Sequence, residues 1–228
     1  IAEDTGQSAE DVYIYPSGMA AVSAVHRALT HITPGARSIQ FDFPYVDVLK
    51  LQQEVGSGVI FIPSTDSDAI TKLKEIISKG ESICGIYCEV PSNPLLRSAD
   101  LASIKAVVNS SNTPIVVDDT VATNVNVNVF KYADVVTTSL TKYYSGVGDV
   151  IAGAVIVNGN SVHRKNIVSQ LKSQKDADLY SEDAVILRNN MGDYRERITR
   201  INETTPRLVD LLMEDPLIEK VRYPKYET

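Results

Sequence analysis

The 228 residues are 43% apolar and 7% aromatic, enough for one substantial core and the beginning of a second unit. A formal charge of -7 without any Lys/Arg-rich block argues against nucleic acid or an anionic membrane surface as partner and leaves a small-molecule site as the default. No apolar run approaches the roughly 18 residues that cross a bilayer, and the opening IAEDTGQSAED has neither the basic start nor the apolar centre of a signal peptide, so a soluble, cytoplasmic protein is expected.

Short β-branched runs alternate with amphipathic segments, the pattern of a mostly parallel sheet covered by helices. YIYPSGMAA passes from an apolar, strand-like start through Pro16-Ser17-Gly18 into a helix; Met19, Val22, Val25 and Leu29 repeat at helical spacing, and Thr33-Pro34-Gly35 stops it. RSIQFDF and SGVIFIP are the next two strands, with a helix over YVDVLKLQQEVG between them. DSDAITKLKEIISKG opens on Asp and Ser cap candidates and ends on Lys79-Gly80. SICGIYCEV is another strand. Its Cys84 and Cys88 are expected on one face, too far apart to bridge, as buried free thiols; without clustered histidines they make no zinc site. SADLASIKAVVNSSN is a helix leading into the strand TPIVVDD, and ADVVTTS is a short strand with which GDVIAGAVIVN is close enough to pair antiparallel. The expected fold is α/β, a doubly wound, mostly parallel sheet of about seven strands with one antiparallel member. Beyond residue 160 the pattern becomes long charged helices, SVHRKNIVSQLKSQKDADL and DYRERITRINETTPRLVDLLMEDP, the second kinked or interrupted at Pro206; LIEKVRYPKYET looks like the start of a strand.

In an open parallel sheet, ligands bind at the carboxyl ends of the strands, so the polar residues found there are the candidates. Free backbone N–H groups at the helix start, with no side chain on Gly18 to obstruct them, suit a phosphate, although Ser17-Gly18 is also an ordinary cap. Asp118 and Asp119 end an apolar strand and project to opposite faces; one suits a solvated turn, while the other is buried and requires a positive partner or a donor. In CEVPSNPLL two prolines hold Ser92 and Asn93 in a rigid extended turn, where Asn93 either meets a ligand or serves the turn alone. TTSLTKYYSG sets Lys142 among hydroxyls: Ser139 and Thr141 can donate to the phosphate that the Gly18 helix receives, while the amine reaches an adjacent carbonyl carbon. A phosphate seat, a buried carboxylate and a reactive lysine are the three requirements of pyridoxal 5'-phosphate.

SGMAA at 17–21, EVPSNPLLR at 89–97, VVDDT at 116–120 and TSLTKYYSGVGDVIAG at 138–153, in that order, resemble the Cys/Met-metabolism branch of the fold-type-I pyridoxal-phosphate enzymes, over nearly the whole chain. SLTKYYSG and VDDT look most like the divergent cystathionine gamma-synthases of fungi. The resemblance implies that Lys142 is the Schiff-base lysine and Asp118 the partner of the pyridine nitrogen. Gly18 and Met19 match the backbone phosphate donors, Ser139 and Thr141 the hydroxyl donors, and Asn93 the residue near the cofactor's phenolic oxygen. Thr120 closes the acidic motif and joins the cofactor-binding set. Tyr45 matches the aromatic residue stacked on the cofactor ring, with a core tyrosine at a helix start as the alternative.

Three stretches depart from the family pattern: Asp118-Asp119-Thr120 for Asp-Asn-Thr, Tyr45-Val46-Asp47 for Tyr-Gly-Gly, and Gly146-Val147-Gly148-Asp149 for Gly-His-Ser-Asp. The family's N-terminal arm and the C-terminal domain with its carboxylate-binding arginine are not visible. Residues 1–185 are therefore expected to be a cofactor-binding large domain and residues 186–228 a linking helix and the start of a second, truncated domain. The implied activity is gamma-replacement on an activated homoserine ester by cysteine, forming cystathionine, in a homodimer or homotetramer. The alternatives are a sister lyase or sulfhydrylase reaction, or a non-catalytic cofactor-binding fragment.

Overall fold

The computed structural model describes residues 1–174 and 177–226. Along the chain run α1 (Ala2–Thr5), β1 (Val12–Tyr15), α2 (Gly18–Ile32), β2 (Arg37–Phe41), α3 (Val46–Glu54), β3 (Val59–Ile62) and α4 (Ser67–Ser78). They are followed by β4 (Ile83–Glu89), α5 (Leu101–Val108), β5 (Ile115–Asp118), α6 (Thr123–Asn126), β6 (Val135–Ser139), β7 (Gly153–Val157), α7 (Arg164–Ser173), α8 (Ser181–Asn190) and α9 (Tyr194–Glu214). The strands form one sheet in the order β1-β7-β6-β5-β4-β2-β3. Strands β2 to β6 pair in parallel, and β7 runs antiparallel to both β1 and β6, the single reversed member that the pattern predicts.

Both faces of the sheet are covered, which is why its strands are continuous apolar runs. Val116, Val135 and Val155 pack with Val25 and Leu29 of α2 and with Ile167 and Leu171 of α7. Their neighbours Val117, Val136 and Ile156 face the opposite layer, with Leu73 of α4, Ile104 of α5, Leu187 of α8 and Ile198 of α9. Side-chain caps mark the predicted helix starts: the Ala20 N–H donates to Ser17 Oγ at 3.0 Å, the Ala69 N–H to Asp66 at 3.0 Å and the Ser103 N–H to Asp100 at 3.0 Å.

Five expectations change. Cys84 and Cys88 are both buried and free, but they lie on opposite faces of β4, Cys84 beside Tyr87 and Val116, and Cys88 beside Ile86 and Val117. The β2–β4 register shifts at Arg37/Ser38, where β4 carries an extra residue near Cys84 and Gly85, and one extra residue inverts the alternation. Pro206 does not interrupt α9, which is continuous through it; the Asn202 carbonyl that its ring cannot bond belongs to an exposed residue, where water can bond it instead. Helix α8 has no counterpart in the expected pattern because Leu187 alone among its residues is buried. The preceding helix ends at Ser173; residues 175–176 of the expected segment lie outside the described residues. From 217 to 226 the backbone forms turns and irregular segments without a strand partner, so the expected terminal strand is absent among the described residues, and 227–228 lie outside them.

The turn after β4 is anchored from below. Buried Asp42 receives the Ser92 hydroxyl at 2.8 Å and pairs with the Arg97 guanidinium, while the Ser92 N–H donates to the Arg97 carbonyl at 2.7 Å. Ser92 therefore serves the turn and leaves Asn93 at its exposed tip. Removing one member of a buried pair strands the other charge, so Arg97→Ala should cost about 3 kcal/mol of unfolding free energy, and Asp42→Asn in the Arg97→Ala background should restore part of it. Urea unfolding of wild type and the variants measures both.

Candidate active site

A cavity of about 1080 Å³ opens at the carboxyl ends of β4, β5 and β6. Gly18, Met19, Tyr45, Asn93, Asp118, Thr120, Ser139, Thr141 and Lys142, the residues singled out in the sequence, all line it.

The N-terminus of α2 forms one wall. Ser17 caps Ala20, leaving the Gly18 and Met19 N–H groups without intrahelical acceptors at the positive end of a 15-residue helix. A Cβ on Gly18 would lie 3.0 Å from Ser139 Cβ, tighter than ordinary contact, so glycine lets the helix end and the end of β6 meet without either giving way. The Ser139 hydroxyl makes no protein hydrogen bond among the described residues. Its N–H donates to Thr120 Oγ1 at 2.8 Å, which ties the ends of β5 and β6 together. The Thr141 hydroxyl accepts the Ala152 N–H at 3.0 Å and lies 3.3 Å from the Ala152 carbonyl, its acceptor; binding a phosphate would take its proton off that carbonyl.

Asp118 lies at the end of β5, in register with Glu89 of β4 and Thr137 of β6. It accepts the Thr120 N–H at 2.9 Å and the Thr137 hydroxyl at 3.4 Å, and it has no ion-pair partner among the described residues. Burial pushes its carboxyl above the usual range, and the donors from Thr120 and Thr137 pull it partly back. Such a group favours a cation entering the cavity. Nor is Asp119 a solvated turn residue: it is 2% exposed and its Oδ1 has no hydrogen-bond partner among the described residues. Burial, then the neighbouring Asp118 charge, raises it to about 7.

Tyr45 is 52% exposed on the cavity wall, which discards the core-tyrosine alternative. Its backbone N–H donates to Glu89 Oε2 at 3.0 Å. Burial and the Asp118 charge push Glu89 up to about 8, against the opposing pull of the Tyr45 and Asn93 N–H groups. The sequence reading missed Glu89; its signal was a lone carboxylate ending an otherwise apolar strand. It also missed Arg197, Arg200 and Ile201 of α9, which complete the wall. Arg197 and Arg200, three apart, share one face of the helix, a repeat visible in YRERITR.

A carboxyl whose native pKa stands above its unfolded value binds its proton more tightly in the native state. Stability then falls as pH rises from the unfolded value to the native one and is flat above it. For Asp119 that window runs from the ordinary carboxyl value of 3.8 to about 7. Asp119→Asn should remove its share of this decline, so the variant gains about 4 kcal/mol on wild type across that window. Melting series of cofactor-free protein between acid and neutral pH give the answer, and parallel curves for both proteins would contradict it.

Known proteins fit this geometry. A family model described as Cys/Met metabolism PLP-dependent enzyme matches residues 5–228. Cystathionine gamma-synthase of Neurospora crassa is 36% identical over 95% of this chain, and alanine racemase ungC of Aspergillus violaceofuscus is 36% identical over 90% of it; the chain spans 36% of the length of each. The fold also matches the crystal structure of cystathionine gamma synthase from Xanthomonas oryzae pv. oryzae in complex with cystathionine. That match has a TM-score of 0.84 and 24% identity, covering 100% of this chain and 57% of the other. With the family model spanning the sheet, the cavity and α9 alike, the chain belongs to the Cys/Met-metabolism family of pyridoxal-phosphate-dependent enzymes.

Proposed function

We propose that the intact protein catalyses gamma-replacement on an activated homoserine ester by cysteine, forming cystathionine. The observation that carries this reading is the convergence, in one cavity, of a helix N-terminus, a carboxylate without an ion-pair partner among the described residues and a lysine, the set of groups that pyridoxal phosphate requires. When bound, pyridoxal phosphate supplies an electron sink for charge developing on the substrate carbons.

Lys142 would hold the cofactor covalently and then, once free, move protons between the substrate's alpha and beta carbons at its Nζ. The Gly18 and Met19 N–H groups and the Ser139 hydroxyl would bind the phosphate, with Thr141 beside them and Thr120 fixing Ser139. Asp118 would keep the pyridine nitrogen protonated. Tyr45 would cover one face of the ring and exclude water, and Asn93 would orient the phenolic oxygen.

Other features of the reading have their own supports. Exposed Phe43, Tyr45, Val46, Val147 and Ile151 are apolar residues suited to a subunit contact, consistent with a homodimer or homotetramer. Leu187, Tyr194 and Ile198 are buried in the main core, whereas Leu208, Leu211 and Met213 farther along α9 are exposed, consistent with a second unit packing there. Cys84 and Cys88 are free thiols, as in a reducing cytoplasm, and no described helix is long and apolar enough to cross a membrane.

The relatives' names also span more than one reaction, racemisation among them. A sister reaction in the same cavity, cleavage of cystathionine or sulfhydrylation of a homoserine ester, is therefore the second reading. Incubation of the intact protein with pyridoxal phosphate should give visible absorbance that borohydride bleaches as it fixes the cofactor to Lys142. Lys142→Ala should abolish it and lower turnover by at least about a thousandfold. Product analysis with cysteine against sulfide then separates the readings, cystathionine with cysteine supporting the first.

A further inference from the structure

The loop that carries Lys142 is held from one side, by the corner between α8 and α9. Lys142 opens a tight turn, its carbonyl accepting the Gly146 N–H at 2.7 Å. Tyr144 stacks on Tyr194 with ring centres 4.2 Å apart and planes at 13°. Asn190 donates to Ser145 Oγ at 3.1 Å and to Asp149 at 2.8 Å.

Arg197 supplies most of the grip. Its Nη1 donates to the Tyr143 carbonyl at 2.7 Å, and its Nη2 donates to the Tyr144 carbonyl at 2.9 Å and to the Asn190 carbonyl at 3.0 Å. Its Nε donates to Asp193 Oδ1 at 2.7 Å. Four of the five guanidinium N–H groups are thus committed, which leaves little for a substrate carboxylate although the residue borders the cavity. Gly146, at φ 78°, faces the same guanidinium, and a Cβ there would fall on it. A planar fork that spans three carbonyl oxygens has no substitute in lysine, whose ammonium is a point charge on a flexible stem.

We propose that Arg197 is a positioning residue for Lys142: its guanidinium fixes the turn at 143–146 and thereby the direction from which the lysine amine enters the cavity. The inference rests on Lys142 being the lysine that holds the cofactor. It links α9 to the reactive amine through backbone carbonyls alone, without contact to substrate.

The test uses the intact protein as wild type, Arg197→Lys, Arg197→Ala and Lys142→Ala. Amide hydrogen exchange at 143–146 is read in cofactor-free protein, and the rate at which added pyridoxal phosphate becomes borohydride-fixed at Lys142 is read by peptide mapping. Both Arg197 variants should exchange faster at 143–146 and capture the cofactor about tenfold more slowly, the scale of a lost charge-assisted hydrogen bond. The pH midpoint of the visible absorbance should move as well, and methylguanidinium should restore capture in Arg197→Ala. If Arg197→Ala fails to fold, Arg197→Lys, which keeps the charge, carries the test. Wild-type exchange and capture in the folded variants would overturn the inference alone. Fixation of wild-type protein at a residue other than Lys142 would overturn the reading beneath it.

Discussion

The site depends on one row of backbone across three strands. Gly153, the first residue of β7, pairs with Tyr15 at the end of β1 and with Ser139 at the end of β6. Because β7 runs against its neighbours, its beginning lies where theirs finish. The chain leaving β1 crosses directly over Gly153, where any Cβ would fall on the Ser17 carbonyl. That crossing sets the first turn of α2 beside Ser139 and so brings an anion-binding helix end to the loop of the lysine. One reversed strand and one missing side chain therefore decide where the cavity forms.

Charge is arranged around that row unevenly. Glu89 and Asp118 line the cavity, Asp119 is buried next to them, and burial raises all three carboxyls. The guanidinium of Arg197 is engaged with backbone carbonyls and Asp193, and Arg200 pairs with Glu196 at 3.2 Å. The carboxylates at the strand ends therefore favour a cationic ring nitrogen, and the helix start favours an anion. A ligand with both charges and a flat body between them satisfies the two at once.

Much of this was legible in the sequence because it is local. Strand ends, caps and the glycine after Ser17 announce themselves within a few residues, and a mostly parallel sheet with one reversed strand follows from alternating apolar runs with one close antiparallel return, although the order of the strands does not. What stayed hidden depends on distant approach. Nothing near Arg197 shows that Tyr143 and Tyr144 will present their carbonyls to it, since the partners are more than fifty residues apart. Glu89 is raised by its burial and then by Asp118 on the next strand, a neighbour that only the register supplies. The two cysteines were misassigned to one face because periodicity assumes an uninterrupted strand, and a single bulge breaks that assumption.

Those cysteines have a practical bearing. Burial raises the Cys84 thiol to about 11 and the Cys88 thiol to about 12, and both are closed off from solvent in separate layers of the core. The thiolate is the species that reacts with alkylating reagents, so neither native sulfur competes for a label at neutral pH. A cysteine introduced at Val147 or Ile151, both exposed beside the lysine loop, would then be labelled ahead of Cys84 and Cys88, and a dye placed there would report on the cavity mouth without first replacing either of them.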